Sequence, residues 1–436
     1  MTLAGKHVAI LGAGRSGRAA AALALREGAT VSAWDAAGPQ AFSGMPPEVE
    51  IHTHATESQG AEVVSDLLVV SPGIDTYGSY VTAFSRHADE VIGEVELASR
   101  FYQGRIVGIT GTNGKTTTTE LVGRILAHAG LGGVPCGNYG TPFAEVVMQA
   151  NPPAAVSLEL SSFQLETIRT LRPDVAVWLN FAPDHMDRYP TVEAYRAAKL
   201  RIFENQQPAD TAIVRHGESV PALPVHVVTF STTDPDADWF SDGNLIHHGG
   251  ETWLDMQRDT SLRGLHNAEN LMAALAACAT FGIPAATMRA ALHGYAPPPH
   301  RCELIRTLDG VEYLNDSKAT NLHALESALR SQVRPVVLIA GGKDKGLDYS
   351  PVVPLLREKA LAAVTYGQIS RPLAALFSHA VHCESVSTLA DAVAVARGLA
   401  PRGSTVLLSP GTSSFDQFSG YEQRGNSFRD LVHQIR

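Results

Sequence analysis

An α/β architecture in three domains, each a mainly parallel sheet covered by helices, is predicted by three features of the sequence. A length of 436 residues exceeds what one hydrophobic core serves, so the chain divides into two or three domains. Short apolar runs alternate with helix-like segments throughout, the pattern of parallel strands joined by crossover helices. These runs stop repeatedly at glycine or polar clusters, and open parallel sheets bind ligands beyond the carboxyl ends of their strands.

Taken in order, residues 1–93 begin with a buried strand at 8–11, a helix at 19–27 and a second strand at 30–34 that ends at Asp35. A later strand at 67–70 stops at Ser71-Pro72-Gly73. The second block, 94–298, places strands at 106–109, 155–158, 175–179 and 212–214, with a helix at 117–129. Residues 231–264 contain Asp242-Gly243, Gly249-Gly250 and the alternating Thr252-Trp253-Leu254, and read as an irregular antiparallel insertion. An alanine-rich helix follows at 267–281, and Pro297-Pro298-Pro299 makes a stiff, extended boundary. The third block, 299–436, repeats the pattern with strands at 311–315, 336–340, 364–366 and 406–408.

Bulk chemistry narrows the function. A formal net charge of −10 with no Lys/Arg run argues against a nucleic-acid partner. The 4 cysteines, Cys136, Cys278, Cys302 and Cys383, have no paired spacing for zinc or a disulfide framework, which fits a reducing cytosol. No apolar stretch approaches the ~18 residues of a membrane span. The N-terminal apolar run leads into glycines rather than a cleavage site. A soluble, cytoplasmic protein without a membrane partner is expected.

The most informative segment is Gly111-Thr112-Asn113-Gly114-Lys115-Thr116, between a strand and a helix. In that context backbone N–H groups cradle phosphates, Lys115 reaches the terminal phosphates and the Thr116 hydroxyl sits on magnesium, with Thr117 next in line. The usual phosphate-loop spacing would put its first glycine at Ile109, whereas Gly108 lies one residue early and Gly111 two late. A glycine turn with no ligand has no need of lysine and threonine at its end. Glu159 ends a strand nearby in the expected order and is followed by Ser161-Ser162-Phe163-Gln164. Another strand ends in Asn180 and leads to Asp184-His185-Met186-Asp187-Arg188-Tyr189. A lone histidine is more often structural, but acids flank His185 at a strand end, which points to a metal or substrate role. Lys199, taken by itself, reads as a solvated helix lysine.

Gly12-Ala13-Gly14-Arg15-Ser16-Gly17 follows the first strand and fits a dinucleotide fingerprint, with Asp35 where a ribose-binding acid would stand. Three readings stay open at this point: a nicotinamide dinucleotide, another diphosphate such as a nucleotide sugar, or a tight turn that simply needs glycines. In the third block the strand ends carry Asn315-Asp316-Ser317-Lys318-Ala319-Thr320-Asn321, Gly341-Gly342-Lys343-Asp344-Lys345 and Ser409-Pro410-Gly411-Thr412-Ser413-Ser414. Together they mark a second, anion-binding site. His300-Arg301, at the hinge, could clamp a nucleotide or cap a helix.

These residues resemble one family over nearly the whole chain, the ATP-dependent Mur ligases of peptidoglycan synthesis, whose phosphate loop is shared with folylpolyglutamate synthetases. The matching stretches are Gly137-Asn138-Tyr139-Gly140, Glu159 to Leu165, Asp184 to Pro190, Tyr195 to Lys199, Asn315 to Asn321, Ser409-Pro410 and Ser414 to Gly425. The resemblance implies a Rossmann-like N-terminal domain for UDP, a P-loop ATPase-like central domain for ATP and a Rossmann-like C-terminal domain for an amino acid. It is strongest to the members that add D-glutamate to UDP-N-acetylmuramoyl-L-alanine, and so implies those two substrates, ATP and two Mg2+ ions, with Mn2+ as a substitute. A monomer is expected, serving cell-wall synthesis and through it cell shape and division.

Roles follow from the resemblance. Gly111, Thr112, Asn113, Gly114, Lys115, Thr116 and Thr117 would hold the ATP phosphates, and Asn270, Arg301 and Asp316 would position the nucleotide. Thr116, Glu159, His185 and Lys199 would hold the metals, Lys199 as a CO2-derived carbamate, which overturns its solvated reading. Arg15, Ser16 and Asp35 would receive UDP, while Asn138, Ser161 and Asp184 would contact the muramoyl-alanine portion. Lys318 would act in catalysis beside the incoming glutamate, with Thr320, Lys345, Ser414, Phe415 and Tyr421. Tyr139 stands where isoleucine is commoner, Gly411-Thr412-Ser413 replaces the more usual Ala-Cys-Ala, and Lys343-Asp344 replaces Asp-Gly. The diaminopimelate- or lysine-adding members usually carry Ser-Ser-His-Ala and Asp-Asn-Pro-Arg, where Phe163-Gln164 and Ser414-Phe415-Asp416 stand here. L-glutamate in place of D-glutamate stays open as an alternative. A dehydrogenase reading leaves the loop at 111–116 and the Asp184–Tyr189 stretch unused.

Overall fold

The computed structural model describes residues 2–186, 188–295 and 299–435. Asp187 and the Pro297-Pro298 connection lie outside the described residues. The chain forms three sheets and gathers into two compact units, the first comprising 1–260 and 268–294, the second 261–267 and 295–436.

The first unit holds two sheets. One is built from β1 (His7–Leu11), β2 (Thr30–Trp34), β3 (Glu50–His52), β4 (Ser65–Val70) and β5 (Ala88–Gly93), in the order β3-β2-β1-β4-β5 and parallel throughout. The chain leaves β1 toward one edge and returns to the other through β4. Their carboxyl ends therefore flank a topological switch point, where such sheets bind ligands. The helix Arg15–Arg26 packs a nearly all-alanine face, Ala19, Ala20, Ala21 and Ala24 with Leu23, against this sheet. A Cβ at Gly17 would stand 1.8 Å from the Gly12 carbonyl oxygen, so close helix–strand packing alone demands that glycine.

The central sheet contains β6 (Arg105–Thr110), β7 (Gly132–Gly137), β8 (Ala155–Glu159), β9 (Val175–Trp178), β10 (Thr211–Arg215), β11 (His226–Ser231), β12 (Trp239–Ser241), β13 (Leu245–His248) and β14 (Glu251–Asp255). Their order is β14-β13-β12-β11-β10-β9-β6-β8-β7. Residues 231–264 are thus not a separate insertion. β12 pairs parallel with β11, and only then does the chain double back antiparallel, extending the same sheet at its edge. β6, β8 and β9 are mainly apolar and, apart from Arg105 at the start of β6, buried on both faces, as parallel strands under helices must be. The helix Lys115–His128 starts directly at the glycine loop, two residues earlier than expected, and its Thr116 to Thr119 are all buried. Tertiary burial there overrides threonine's weak helix preference.

The second unit carries β15 (Glu303–Leu308), β16 (Val311–Asn315), β17 (Val336–Gly341), β18 (Ala360–Tyr366), β19 (His382–Ser385) and β20 (Thr405–Leu408). The order is β15-β16-β20-β17-β18-β19, with only the β15 edge antiparallel. β16, β20 and β17 are neighbours, so the three polar loops read from sequence emerge side by side. The α/β class with three mainly parallel sheets is as expected, while the first two sheets form one compact unit. Among the described residues no helix is long and apolar enough to cross a membrane.

Candidate active site

β6, β8 and β9 are adjacent, and their carboxyl ends bring the phosphate loop, Glu159 and the Asn180–Asp184 segment together. The loop is stitched to the chain after β9. The Thr112 N–H donates to the Asn180 carbonyl at 3.0 Å, the Asn113 N–H to Asn180 Oδ1 at 2.9 Å, and the Thr112 hydroxyl to the Ala182 carbonyl at 3.0 Å. Gly114 has φ of 85°, and a Cβ there would stand 2.3 Å from Asn270 Oδ1, so Asn270 on the helix Leu265–Ala279 packs directly on the loop. Lys115 folds back, its Nζ donating to the carbonyls of Gly111 and Thr112, both at 3.0 Å.

Lys199 is not solvated. Only 2% exposed, it donates from Nζ to the Gly111 carbonyl at 2.8 Å and lies 4.9 Å from the centre of the Tyr195 ring. Burial holds its amine well below the ordinary lysine range, and the neighbouring Lys115 pushes the same way against the weaker pull of Asp184 and Glu159. Lys199, Lys115, Asp184 and Glu159 thus share one electrostatic neighbourhood.

Glu159 is buried. Its Oε1 accepts from Asn138 Nδ2 at 2.8 Å, while its buried Oε2 has no hydrogen-bond partner among the described residues. A carboxylate oxygen left so is unfavourable by about 1–3 kcal/mol, more when charged, and a cation would satisfy it. Asp184 Oδ1 accepts from the His185 N–H at 2.8 Å. His185 has φ of 58°, an unfavourable backbone for a non-glycine, and its ring packs edge-on to Phe163 and Tyr195. Among the described residues no group of three or more His, Cys, Asp or Glu could hold a metal. The expected set has only two such residues, Glu159 and His185, and relies on Thr116 and Lys199 for the rest. The donor set fits hard cations if Lys199 supplies oxygens, as a carbamate does. Ser161 caps a short helix, its hydroxyl accepting from the Gln164 N–H at 3.3 Å.

Beside this centre a cleft of about 460 Å³ is lined by Pro72, Gly73, Asn138, Phe163, His185 and Arg188. Arg188, unassigned from sequence, builds its wall. Its guanidinium donates to the carbonyls of Pro72 at 3.0 Å and Ile74 at 2.7 Å, and stacks 3.9 Å above the Phe163 ring. It ties the loop after β4 to the His185 loop. At the other switch-point loop, Asp35 accepts the backbone N–H groups of Ala13 and Ala37, both at 2.8 Å, and so braces the glycine turn. Arg15 donates to the Gly140 carbonyl at 3.2 Å, and Ser16 lies in the first turn of the helix Arg15–Arg26.

In the second unit, Asp316 follows β16 and accepts from the Cys302 N–H at 3.2 Å and the Ser409 hydroxyl at 2.9 Å. Burial pushes its carboxyl up to about 7, against the pull of Arg301 and its hydrogen bonds. Lys318 Nζ lies 5.2 Å from the centre of the Tyr421 ring, and Lys345 Nζ donates to the Thr320 carbonyl at 3.5 Å. Ser414 is buried and Phe415 is exposed in the loop after β20. Of the three residues expected at the nucleotide, Asn270 belongs to the first unit, and Arg301 and Asp316 to the second. Arg424 escaped sequence reading. It is 0% exposed and donates to Ser317 Oγ, the Ser317 carbonyl and the Thr412 carbonyl, thus joining two of the loops.

Comparison with known proteins follows the same loops. The Mur ligase middle domain matches residues 109–278, and the Mur ligase, glutamate ligase domain matches residues 300–411. The UDP-N-acetylmuramoylalanine–D-glutamate ligase of Myxococcus xanthus is 41% identical over 453 residues, spanning 100% of both chains. The ligase of the same name from Geobacter metallireducens is 39% identical over 451 residues, with 100% of this chain and 99% of that one covered. Among solved structures, UDP-N-acetylmuramate-alanine ligase from Thermotoga maritima shares the fold at 18% identity, with a TM-score of 0.61 over 99% of this chain and 100% of that one. A pseudomurein peptide ligase from Methanothermus fervidus does so at 16% identity, with a TM-score of 0.60 and the same coverage. With a full-length relative 41% identical and family matches over both the phosphate-loop and C-terminal regions, the chain belongs to the Mur ligase family.

Proposed function

We propose that this chain is an ATP-dependent ligase that joins D-glutamate to UDP-N-acetylmuramoyl-L-alanine in cytoplasmic peptidoglycan precursor synthesis. The observation that carries this reading is the meeting of Lys115, buried Lys199 and the unpartnered oxygen of Glu159 around one glycine loop. That arrangement is built for phosphate and cations, and full-length relatives bearing this activity's name support the choice of substrates.

A free carboxylate is a poor electrophile because its oxide is a hopeless leaving group. Transfer of the ATP γ-phosphoryl to the alanyl carboxylate oxygen gives ADP and an acyl phosphate, whose carbonyl carbon can be attacked. The glutamate amine then adds to that carbon, loses a proton, and the tetrahedral intermediate expels phosphate to leave the amide. Lys115, released from its own loop carbonyls, neutralises the transferred group. Mg2+ held by Thr116, Glu159, His185 and the Lys199 carbamate would supply further charge neutralisation. Lys199 reaches the carbamate by addition of its neutral amine to CO2 with loss of a proton, and its burial favours that neutral form. Asn138 and Arg188 shape the cleft for the sugar-linked substrate, with Arg15, Ser16 and Asp35 toward its UDP end. Lys318, Thr320, Lys345, Ser414, Phe415 and Tyr421 face the incoming glutamate.

The test is phosphate release from ATP with UDP-N-acetylmuramoyl-L-alanine and, separately, D-glutamate, L-glutamate, L-lysine or diaminopimelate. Release with D-glutamate alone is expected. No release with any acceptor sinks the ligase reading, and release only with L-glutamate overturns the stereochemistry.

A further inference from the structure

The turn Gly137-Asn138-Tyr139-Gly140 is gripped by three separate elements. The Asn138 backbone N–H donates to the Glu159 carbonyl at 2.9 Å, and its side-chain amide donates to Glu159 Oε1 at 2.8 Å, anchoring the turn on β8. The Gly140 carbonyl accepts from Arg15, at the start of the helix Arg15–Arg26, at 3.2 Å. Between these, the Tyr139 hydroxyl donates to the carboxylate of Glu120, on the helix that begins with Lys115. Asn138 itself is exposed and lines the cleft with Phe163, His185 and Arg188, so its position depends on these tethers rather than on packing. The isoleucine more usual at position 139 could not make the contact to Glu120.

We propose that the Tyr139–Glu120 hydrogen bond is a positioning contact for the UDP-linked substrate. It fixes the turn against the phosphate-loop helix, and so sets the face that Asn138 presents to the cleft and the hold of Asn138 on Glu159. The contact does not anchor the nucleotide end, because the phosphate loop is stitched through Asn180 and Ala182 and packed upon by Asn270. The proposal rests on the ligase reading for the identity of the ligand, but its test can be read without turnover.

The test compares wild type with Tyr139→Phe, Glu120→Ala, Glu120→Gln and the double variant Tyr139→Phe/Glu120→Ala. The calorimetric Kd of UDP-N-acetylmuramoyl-L-alanine without ATP is measured beside the KM values of all substrates. Tyr139→Phe and Glu120→Ala should each raise that Kd and the matching KM by about tenfold, the scale of a lost hydrogen bond to a charged acceptor. The KM for ATP should stay within about twofold. Glu120→Gln keeps an acceptor and should restore near wild-type binding, and the double variant should be no worse than either single one. Unchanged Kd values, or additive losses in the double variant, overturn the positioning role even if thermal stability falls. A wild type that binds the substrate but releases no phosphate sinks the ligase reading alone. A wild type that does not bind it overturns both.

Discussion

Lys115 and Lys199 donate to the same acceptor, the Gly111 carbonyl oxygen, at 3.0 and 2.8 Å. Two ammonium groups on one carbonyl would repel strongly at low dielectric. The conflict is eased because burial lowers the proton affinity of the Lys199 amine, while half-buried Lys115 stays available to phosphate. The pair divides one task. Lys115 offers a positive charge to phosphate, and in the proposed reaction Lys199 offers an amine that CO2 would convert to an anion.

Replacing Lys199 should therefore be severe. Lys199→Ala is expected to lower kcat by about a hundredfold or more, the scale of losing one preorganised electrostatic group. Short-chain carboxylates, which can lodge in the vacated space and return an anion, should restore part of the activity. Lys199→Arg should stay inactive, because a guanidinium cannot be carbamylated and keeps its charge. 13C-labelled bicarbonate should give a carbamate resonance in wild type that both variants lack. Full activity of Lys199→Ala would return this lysine to a purely structural role.

Glu94 gives a prediction of stability against pH. Wholly buried, it accepts the Ala144 N–H, and desolvation pushes its carboxyl up to about 7 from an ordinary 4.5. The folded state thus binds the proton more tightly than the unfolded chain. Its contribution is fully favourable below pH 4.5 and is lost as pH rises through 7. The rise from 4.5 to about 7 corresponds to about 3 kcal/mol. Glu94→Gln keeps the acceptor for Ala144 and removes the titration. The variant should gain on wild type in urea unfolding from pH 4.5 to 8, and a constant difference across that range would count against the assignment.

Strand ends were legible in the sequence because parallel strands buried on both faces read as apolar runs, as at 106–109 and 336–340. The expected residues at those ends do converge, with Glu159, Lys115 and Lys199 around Gly111 and Lys318 beside Tyr421. Edge strands were not legible. β7 contains Gly132, Gly133 and Pro135, tolerable only at a sheet edge, and β3 is three residues long with little burial. The burial of Lys199 was hidden too, since a helix lysine between Ala198 and Leu200 has no sequence mark of facing inward, and only the family resemblance singled it out. Arg188 and Arg424 were invisible as site builders because their partners are mostly backbone carbonyls, which every sequence has.

Arg424 supplies the last prediction. Its guanidinium is sealed from solvent, and its donors go to Ser317 Oγ at 3.0 Å, the Ser317 carbonyl at 2.7 Å and the Thr412 carbonyl at 3.1 Å. None of these acceptors is a carboxylate, so the bonds hold loops rather than neutralise an acid. One loop carries Lys318 and Thr320, and the other leads to Ser414 and Phe415. Truncation to alanine would orphan buried carbonyls and leave a cavity, destabilising the second unit by about 3 kcal/mol. Lysine has one donor group in place of a planar fork and cannot span both loops, so Arg424→Lys should fold better than the alanine variant yet still misplace them. The expected signature is a raised KM for D-glutamate in Arg424→Lys, with the KM for ATP little changed and a modest fall in urea midpoint. If Arg424→Lys instead loses stability while every KM stays at the wild-type value, then Arg424 supports the core of the unit and the two loops keep their places without it.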